Sequence, residues 1–333
     1  MKRRNEKVIT AQIEYLKEVV GKLIPSGTKY ALLDFPNHSN VGDSAIWLGE
    51  IELLSQLTSR MPSYVCTVDT FNEGDLLRAV PSGAILIHGG GNFGDIWRRN
   101  QDLRELILEK FKDRLVIQLP QTIKFNDENA VIRCANAIKA HGHFHLMVRD
   151  QQSLEFAQRH FACPTELVPD SAFALGALAK PIQPLNEMFM LLRTDVERAI
   201  YDRSPFDLAG GISADWLEEP NNFYRFAKAK ATIKAFMKGA WSQEQRRLIF
   251  YQQLATGRVD RGLLLLSSGN RVVTDRLHGH ILSTLLDIPH VTLDNNYGKV
   301  SGYINAWTKS YPGAQVATTA KEALEKLELL PRC

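Results

Sequence analysis

Residues 84–95 read Ala84-Ile-Leu-Ile-His88-Gly-Gly-Gly-Asn92-Phe-Gly-Asp95. The apolar run at 84–88 predicts a buried strand, the glycines predict a loop at 89–95, and a helical pattern follows at 103–111. The same unit occurs earlier, where an apolar strand at 30–34 leads into a loop at 36–43 and a helix from about Ser44. Strands that alternate with helices in this way predict a parallel sheet with helices on both faces.

The alternation continues along the chain. Further strands are expected at 115–119 (ended by Pro120), 145–149, 188–192, 271–274 and 290–294, and helices at 7–24, from Gln151, from His278 and at 319–330. Two prolines in segment 180–186 predict a boundary. We therefore expect an α/β protein of two Rossmann-like, doubly wound domains, residues 1–180 and 181–333, that face each other across a cleft.

Two segments interrupt this pattern. The polar, acidic stretch 194–220 has no clear period and predicts a long loop. Segment 222–241 predicts a helix with an apolar stripe and interspersed basic residues: Phe223, Phe226, Ile233, Phe236, Met237 and Trp241, with Arg225, Lys228, Lys230, Lys234 and Lys238. A basic amphipathic helix can lie in a membrane interface. The more ordinary alternative is a stripe that packs on the second domain while the lysines face water.

The composition of the 333 residues is that of an ordinary globular protein, with 44% hydrophobic and 23% charged residues. A formal net charge of +3 does not indicate a nucleic-acid-binding protein. The four cysteines form no C-x-x-C pair, so neither a zinc site nor a redox motif is indicated. No apolar run resembles a signal peptide or a membrane span. We therefore expect a cytoplasmic protein with no nucleic-acid partner.

Charged candidates for a ligand site follow strands of the second half, because ligands of open α/β sheets bind beyond the carboxyl ends of the strands. Arg276 and His278 follow one strand; an arginine binds phosphate or carboxylate, and a histidine can move a proton near neutral pH. The alternative is an ion pair of Arg276 with Asp275 and a helix-capping His278. Arg193 and Lys299 follow two other strands, and their alternatives are a surface ion pair and a solvated lysine.

Uncharged ligands have candidate partners in the two loops of the first half, each of which ends in Gly-Asp. Asn40 and Asp43 belong to one loop, and Asn92 and Asp95 to the other. Asparagine and aspartate side chains suit sugar hydroxyls, although the same residues also dominate ordinary turns. Neither the dinucleotide fingerprint nor a P-loop lysine is present.

A metal site is suggested only by His141, His143 and His145, which alternate along the chain. They lack acidic or cysteine partners at ligand spacing, so we expect no metal.

Several motifs together resemble the polysaccharide pyruvyl transferase family over about residues 29–310. They are Asn40-Val-Gly-Asp43, His88-Gly-Gly-Gly-Asn92, Gln118-Leu-Pro-Gln121, Val148-Arg-Asp150 with Ser153, Pro169-Asp170, and Asp275-Arg-Leu-His278 with Lys299. The resemblance implies a GT-B-like fold and phosphoenolpyruvate as donor. It further implies transfer of pyruvate to a sugar of an exopolysaccharide or cell-wall polysaccharide repeat unit as a ketal. By the same resemblance, Arg193, Arg276 and His278 match donor-binding positions.

The chemistry of this transfer agrees with the candidate residues. Phosphoenolpyruvate carries a phosphate and a carboxylate, which Arg193, Arg276 and Lys299 can bind. Transfer needs a proton on C3 of the donor and a base for the sugar hydroxyl; we expect His278 to act as the acid and Asp43 as the base. No metal or redox cofactor is required. The second domain would then be the phosphoenolpyruvate side and the first domain the acceptor side.

Three functions stay open at this point. Besides the pyruvyl transferase, the chain could be a GT-B glycosyltransferase that uses a sugar nucleotide, or a sensor or scaffold that binds an acidic sugar. Because polysaccharide repeat units are usually assembled on a polyprenyl diphosphate lipid at the cytoplasmic face, the resemblance also implies a lipid-linked acceptor. It thereby supplies a reason for membrane contact through 222–241.

Overall fold

A computed structural model describes residues 3–195, 201–294 and 299–332 of the chain. Its first sheet has, within these residues, seven strands: β1 (Tyr30–Leu33), β2 (Tyr64–Val65), β3 (Ala84–Ile87), β4 (Gly90–Phe93), β5 (Val116–Ile123), β6 (Phe144–Val148) and β7 (Thr165–Leu167). The strands pair in parallel in the order β2-β1-β3-β5-β6-β7, and β4 pairs with β5. The helices of this half are α1 (Glu6–Leu23), α2 (Val41–Thr58), α3 (Glu73–Ala79), α4 (Arg98–Lys110), α5 (Glu128–His141) and α6 (Gln151–His160).

The second sheet follows in the chain and is also parallel. Its strands in the described ranges are β8 (Asn186–Leu191), β9 (Ile212–Ala214), β10 (Gly269–Thr274), β11 (His290–Leu293) and β12 (Ala314–Ala317), in the order β12-β11-β10-β8-β9. The helices of this half are α7 (Ser204–Ala209), α8 (Phe223–Met237), α9 (Gln243–Ser267), α10 (Leu277–Leu285), α11 (Lys299–Tyr303) and α12 (Ala320–Leu329). Parallel sheets flanked by helices confirm the predicted fold class. The division at residue 180 and the GT-B-like arrangement stay predictions.

Each sheet has a point at which the order of its strands reverses. In the first sheet the chain passes from β1 to β2 on one side and then to β3 on the other; in the second it passes from β8 to β9 and then to β10. At such a point the connections that follow the two strands diverge and leave a crevice at the carboxyl ends. Asp34 and His88 stand at this crevice in the first sheet, and Arg193 and Asp275 in the second.

The hydrophobic core is layered because successive strand residues point to opposite faces of a sheet. Leu32 of β1 belongs to a core that also contains Leu191 of β8 and Ile281 of α10, so both sheets contribute to this layer. Leu33, the next residue, packs in a separate layer with α4, α5 and α6. Strands buried on both faces explain why they are continuous apolar runs in the sequence.

The predicted loop at 89–95 is wrong, because it contains β4, and the strand predicted to end at Pro120 continues to Ile123. A Cβ at position 89 would lie 2.6 Å from the Pro120 carbonyl oxygen, so only glycine lets these backbones approach. Proline offers no N–H, and the register of β5 with β6 shifts between Gln118 and Gln121, where that missing donor falls. The helix expected from about Ser44 begins earlier, at Val41.

The predicted long loop at 194–220 is also wrong. It contains α7, whose Phe206 is buried, and the short strand β9, which pairs with β8. Three strand residues at a sheet edge are too few to show a period in the sequence. No helix within the described ranges is long and apolar enough to cross a membrane.

Candidate active site

A cavity of about 570 Å³ lies at the carboxyl ends of the strands and is lined from both sheets. The first sheet contributes Asp34 and His88, and the second contributes Arg193 and Arg276. The two strand-order reversals therefore face a single cavity, which is the location expected for a ligand.

Asp34 lies at the floor of the first-sheet side and was missed by the sequence analysis. Its carboxylate accepts hydrogen bonds from Asn92 Nδ2 at 3.0 Å and Asn100 Nδ2 at 2.9 Å. Burial raises the pKa of this carboxyl despite those donors. Its φ of 69° lies in the left-handed region, which is uncommon for a residue other than glycine and is concentrated at functional sites.

Asn92, a predicted acceptor-binding residue, lines the cavity and is fixed by its neighbours. Its Oδ1 accepts from Gln121 Nε2 at 2.8 Å and from Arg104 Nη2 at 3.0 Å. Gln118 in turn accepts from Arg104 Nε at 2.7 Å and donates to the His88 carbonyl oxygen at 2.9 Å. The two glutamines of the Gln-Leu-Pro-Gln motif thus brace the 88–92 segment.

His88 forms a buried pair with Glu50, an acid in the middle of helix α2 that was not predicted as a site residue. His88 Nδ1 lies 2.7 Å from Glu50 Oε2, and Gly89 N donates to Glu50 Oε1 at 2.7 Å. Burial opposes charge on the imidazole, but the Glu50 carboxylate outweighs it and raises the pKa of His88. His88 Nε2 is buried without a protein partner, and the residue lines the cavity.

Asn40 and Asp43 begin helix α2 and both line the cavity, as the sequence analysis predicted. Asn40 caps the helix through Gly42 N and donates to Asp43 Oδ2 at 2.9 Å. Burial would raise the pKa of Asp43, but nearby charges, first those of His38 and His278, outweigh it and lower the pKa. Asp43 therefore carries a negative charge at neutral pH.

Asp95 is the one member of this predicted set that the structure does not bring to the cavity. Its oxygens accept from the backbone N–H groups of Asn126 and Asp127 at 2.6 to 3.0 Å. These contacts are turn chemistry of the kind that the sequence analysis gave as the alternative.

Arg276 lies on the second-sheet side and is buried among carboxylates. Its Nε and Nη2 donate to Asp215 at 2.9 and 2.6 Å, and Nη2 also reaches Asp195 at 3.2 Å. Arg193 donates to both oxygens of Asp195, at 2.8 and 3.1 Å, so this carboxylate links the two arginines. The sequence analysis missed Asp215, because it stands in the stretch that was expected to be a loop.

The alternative in which Arg276 pairs with Asp275 is not what the structure shows. Asp275 instead accepts from the backbone N–H of Arg193 at 2.7 Å and lies 3.4 Å from Arg203 Nη2. This buried carboxylate therefore fixes the end of β8 and leaves Arg276 to the cavity.

His278 belongs to a chain of polar side chains that joins the two halves beside the cavity. Its Nε2 lies 3.3 Å from Asp170 Oδ2, which also accepts from Arg149 Nη1 at 2.6 Å. Although burial opposes it, the charges of His278 and Arg149 hold the pKa of Asp170 well below its ordinary value. On the other side of the ring, a Cβ at Gly42 would lie 2.4 Å from His278 Nδ1. The imidazole is thus held between the two halves of the chain.

The side chain of Lys299, the third predicted cation, lies outside the described residues. His141 is the first of the three histidines considered for a metal, and it does not line the cavity. Its Nε2 lies 3.0 Å from the Phe111 carbonyl oxygen. In the described part of the chain, no three acidic, histidine or cysteine residues form a group that could hold a metal ion.

The fold and the cavity define an α/β protein with a candidate ligand site between two parallel sheets. A family model described as polysaccharide pyruvyl transferase matches residues 40–297, which is most of the chain. The chain therefore belongs to the polysaccharide pyruvyl transferase family, as the motifs predicted, and is a transferase.

Individual relatives agree with this assignment. The chain is 29% identical to "Pyruvyl transferase 1" of Schizosaccharomyces pombe, over 91% of this chain and 75% of that protein. It is also 29% identical to "Putative pyruvyl transferase EpsO" of Bacillus subtilis, over 90% of this chain and 92% of that protein. A crystal structure of an uncharacterized protein from Klebsiella pneumoniae shares the fold, with a TM-score of 0.57, 19% identity, and coverage of 88% of this chain and 94% of that one.

Proposed function

We propose that this chain transfers pyruvate from phosphoenolpyruvate to a saccharide of an exopolysaccharide or cell-wall polysaccharide repeat unit and forms a pyruvate ketal. One observation carries the proposal: a single cavity brings Arg193, Arg276 and His278 of the second half to face Asn40, Asp43 and Asn92 of the first half. The acceptor in this proposal is lipid-linked and is modified at the inner face of the cytoplasmic membrane.

The donor occupies the second-sheet side in this proposal. Arg193 and Arg276 bind the carboxylate and phosphate as planar forks, with Lys299 as a further cation. An anion is disfavoured next to Asp43 on the opposite side, because this negatively charged carboxylate contacts no arginine or lysine among the described residues.

Proton movements follow from this placement. His278 gives a proton to C3 of the donor, which makes C2 electrophilic, and the first sugar hydroxyl adds to C2 as Asp43 accepts its proton. The C–O bond to phosphate then breaks, and a second hydroxyl of the same sugar closes the ketal. The proton of this second hydroxyl leaves with the phosphate, and the proton that Asp43 accepted returns to His278 and restores both groups. The products are the ketal and inorganic phosphate.

Ligand-dependent melting tests the choice of donor, because a ligand that binds only the folded state raises the melting temperature. We expect phosphoenolpyruvate to raise it and UDP- and GDP-sugars to leave it unchanged. A shift with a sugar nucleotide and none with phosphoenolpyruvate would instead support a glycosyltransferase.

The role of the base is tested by Asp43→Asn, with Asp95→Asn as its matched control. Phosphate release from phosphoenolpyruvate would be followed with a panel of saccharides. We expect Asp43→Asn to lower the turnover by about a hundredfold while the donor KM stays unchanged. Asp95→Asn, outside the cavity, should retain turnover; a reversed pattern would assign the acceptor role to Asp95.

A further inference from the structure

Helix α8 carries large apolar side chains on its solvent face. Phe226, Ile233, Phe236 and Met237 are 62–79% exposed, and Trp241, just beyond the helix, is 70% exposed. The sequence alternative, in which this stripe packs on the second domain, is therefore wrong for these residues. The face that packs on the protein consists of the buried Ala227, Ala231 and Ala235.

Basic residues flank these apolar side chains. With 100° per residue, Arg225 and Lys228 lie along one side of the exposed ridge, and Lys230 and Lys234 along the other. No aspartate or glutamate occurs between Pro220 and Glu244. We name this set the α8 surface: Phe226, Ile233, Phe236, Met237 and Trp241, with Arg225, Lys228, Lys230, Lys234 and Lys238.

The position of the α8 surface relates it to the cavity. Phe223, in the first turn of α8, lies against Arg258 and Arg261. The centroid of its ring is 5.8 and 5.9 Å from their guanidinium carbons. Arg258 donates to the Pro36 carbonyl oxygen at 3.0 Å and Arg261 to that of Ser39 at 2.8 Å; both of these loop residues line the cavity. These two arginines thus connect the N-terminal end of α8 to the first-sheet rim of the cavity.

We propose that the α8 surface docks the protein on an anionic lipid membrane. An apolar ridge between two rows of cations, on a helix that itself carries no acidic residue, matches the boundary between acyl chains and negative headgroups, since lysine stems can extend from the apolar layer to the headgroups. A second copy of this chain would have to place these cations against themselves in a symmetric contact. The α8 surface lies outside the cavity, so its docking on a membrane does not depend on the proposed reaction.

Vesicle sedimentation tests the charge component. We expect the wild type to bind phosphatidylcholine vesicles that contain phosphatidylglycerol, and to bind pure phosphatidylcholine much more weakly. Replacing Lys228, Lys230, Lys234 and Lys238 with glutamine should weaken binding at least about tenfold. The matched control replaces the exposed Lys7, Lys17, Lys112 and Lys139 with glutamine, which removes the same charge and should leave binding within about twofold.

The apolar component has its own matched pair. Phe236→Ser with Met237→Ser should also weaken vesicle binding about tenfold, whereas Leu185→Ser with Leu329→Ser, at exposed positions elsewhere, should not. No binding by the wild type at low salt, or equal loss in the two lysine variants, would overturn the proposal. A wild-type dimer that Phe236→Ser with Met237→Ser dissociates, without vesicle binding, would assign the surface to a second copy and overturn it too.

Discussion

The two sides of the cavity hold their charged groups by different means. On the second-sheet side, Arg276 is bound by the carboxylates of Asp215 and Asp195. On the first-sheet side, Asp34 is held by the neutral amides of Asn92 and Asn100. An arginine held by carboxylates is oriented in advance but has its charge offset, so an anionic ligand must compete with those carboxylates. A carboxyl group held by amides is oriented without an opposite charge beside it and suits neutral hydroxyl groups.

The largest expected effect comes from removing the cation and the proton donor of the second-sheet side. Arg276→Ala and His278→Ala should each lower turnover, measured as phosphate release, by about thirtyfold to a thousandfold, because a charge-assisted contact contributes about 2–4 kcal/mol. Arg271→Ala is the matched control, because Arg271 is a buried arginine too. It lies in β10, away from the cavity end of that strand, and bonds to Leu327 and Glu328. Wild-type turnover in Arg276→Ala and His278→Ala would show that the second-sheet side is not the active site.

The contact between the two sides is tested by Gly42→Ala. The added methyl group would lie 2.4 Å from His278 Nδ1 and must displace the imidazole, so we expect turnover to fall at least about tenfold with the fold retained. Gly302→Ala, where a Cβ meets nothing within 4 Å, is the control and should keep full turnover. Equal turnover in the two variants would show that the position of His278 is not critical.

A buried pair of histidines, His280 of α10 and His290 of β11, contrasts with His278 in the cavity. His280 and His290 are buried in the core, with Nδ1 of the first 2.7 Å from Nε2 of the second, and burial lowers the pKa of His290 to about 4. The unfolded chain binds a proton below pH 6.5 that the folded chain does not, so stability falls as pH decreases from 6.5 to about 4.

Urea unfolding measures this effect. Between pH 7.5 and pH 5.0 the wild type should lose about 2 kcal/mol more unfolding free energy than His290→Asn does. The same loss in both proteins would mean that His290 titrates normally in the fold.

A smaller effect is expected for the carboxylate that links the two arginines. Asp195 is 25% exposed at its side chain against 6% for Asp215, so it is the more easily displaced by a ligand. Asp195→Asn should therefore bind phosphoenolpyruvate about two- to fivefold more tightly, as measured by calorimetry. Asp207→Asn, an exposed change of equal charge in the same half, should bind as the wild type does. Weaker binding by Asp195→Asn would show that Asp195 orients the arginines.

The sequence predicted the positions of the cavity residues better than their partners. Asn40, Asp43, Asn92, Arg193, Arg276 and His278 all line the cavity, because each follows a buried apolar run that ends at the same edge of a parallel sheet. The partner of Arg276 could not be predicted, since Asp215 is 61 residues away in a stretch without a period. Contacts of this kind depend on tertiary structure and leave no local pattern.

The incorrect predictions for the 89–95 loop and for the packing of α8 also have causes in tertiary structure. Two of the glycines that predicted a loop, Gly90 and Gly91, belong to β4, and Gly89 just before it lies too close to the Pro120 backbone for any side chain. In α8 both faces are apolar, and the small alanines rather than the aromatic residues pack on the protein. Hydrophobic spacing alone predicts a helix but cannot decide which of two apolar faces is buried.

The assignment of the donor to the second-sheet side is tested most directly by calorimetric titration of phosphoenolpyruvate into wild type, Arg276→Ala and Asp43→Asn. We predict that the wild type binds, that Arg276→Ala binds about thirtyfold to a thousandfold more weakly, and that Asp43→Asn binds within about threefold of the wild type. No binding of phosphoenolpyruvate by the wild type, or a larger loss in Asp43→Asn than in Arg276→Ala, would contradict this assignment.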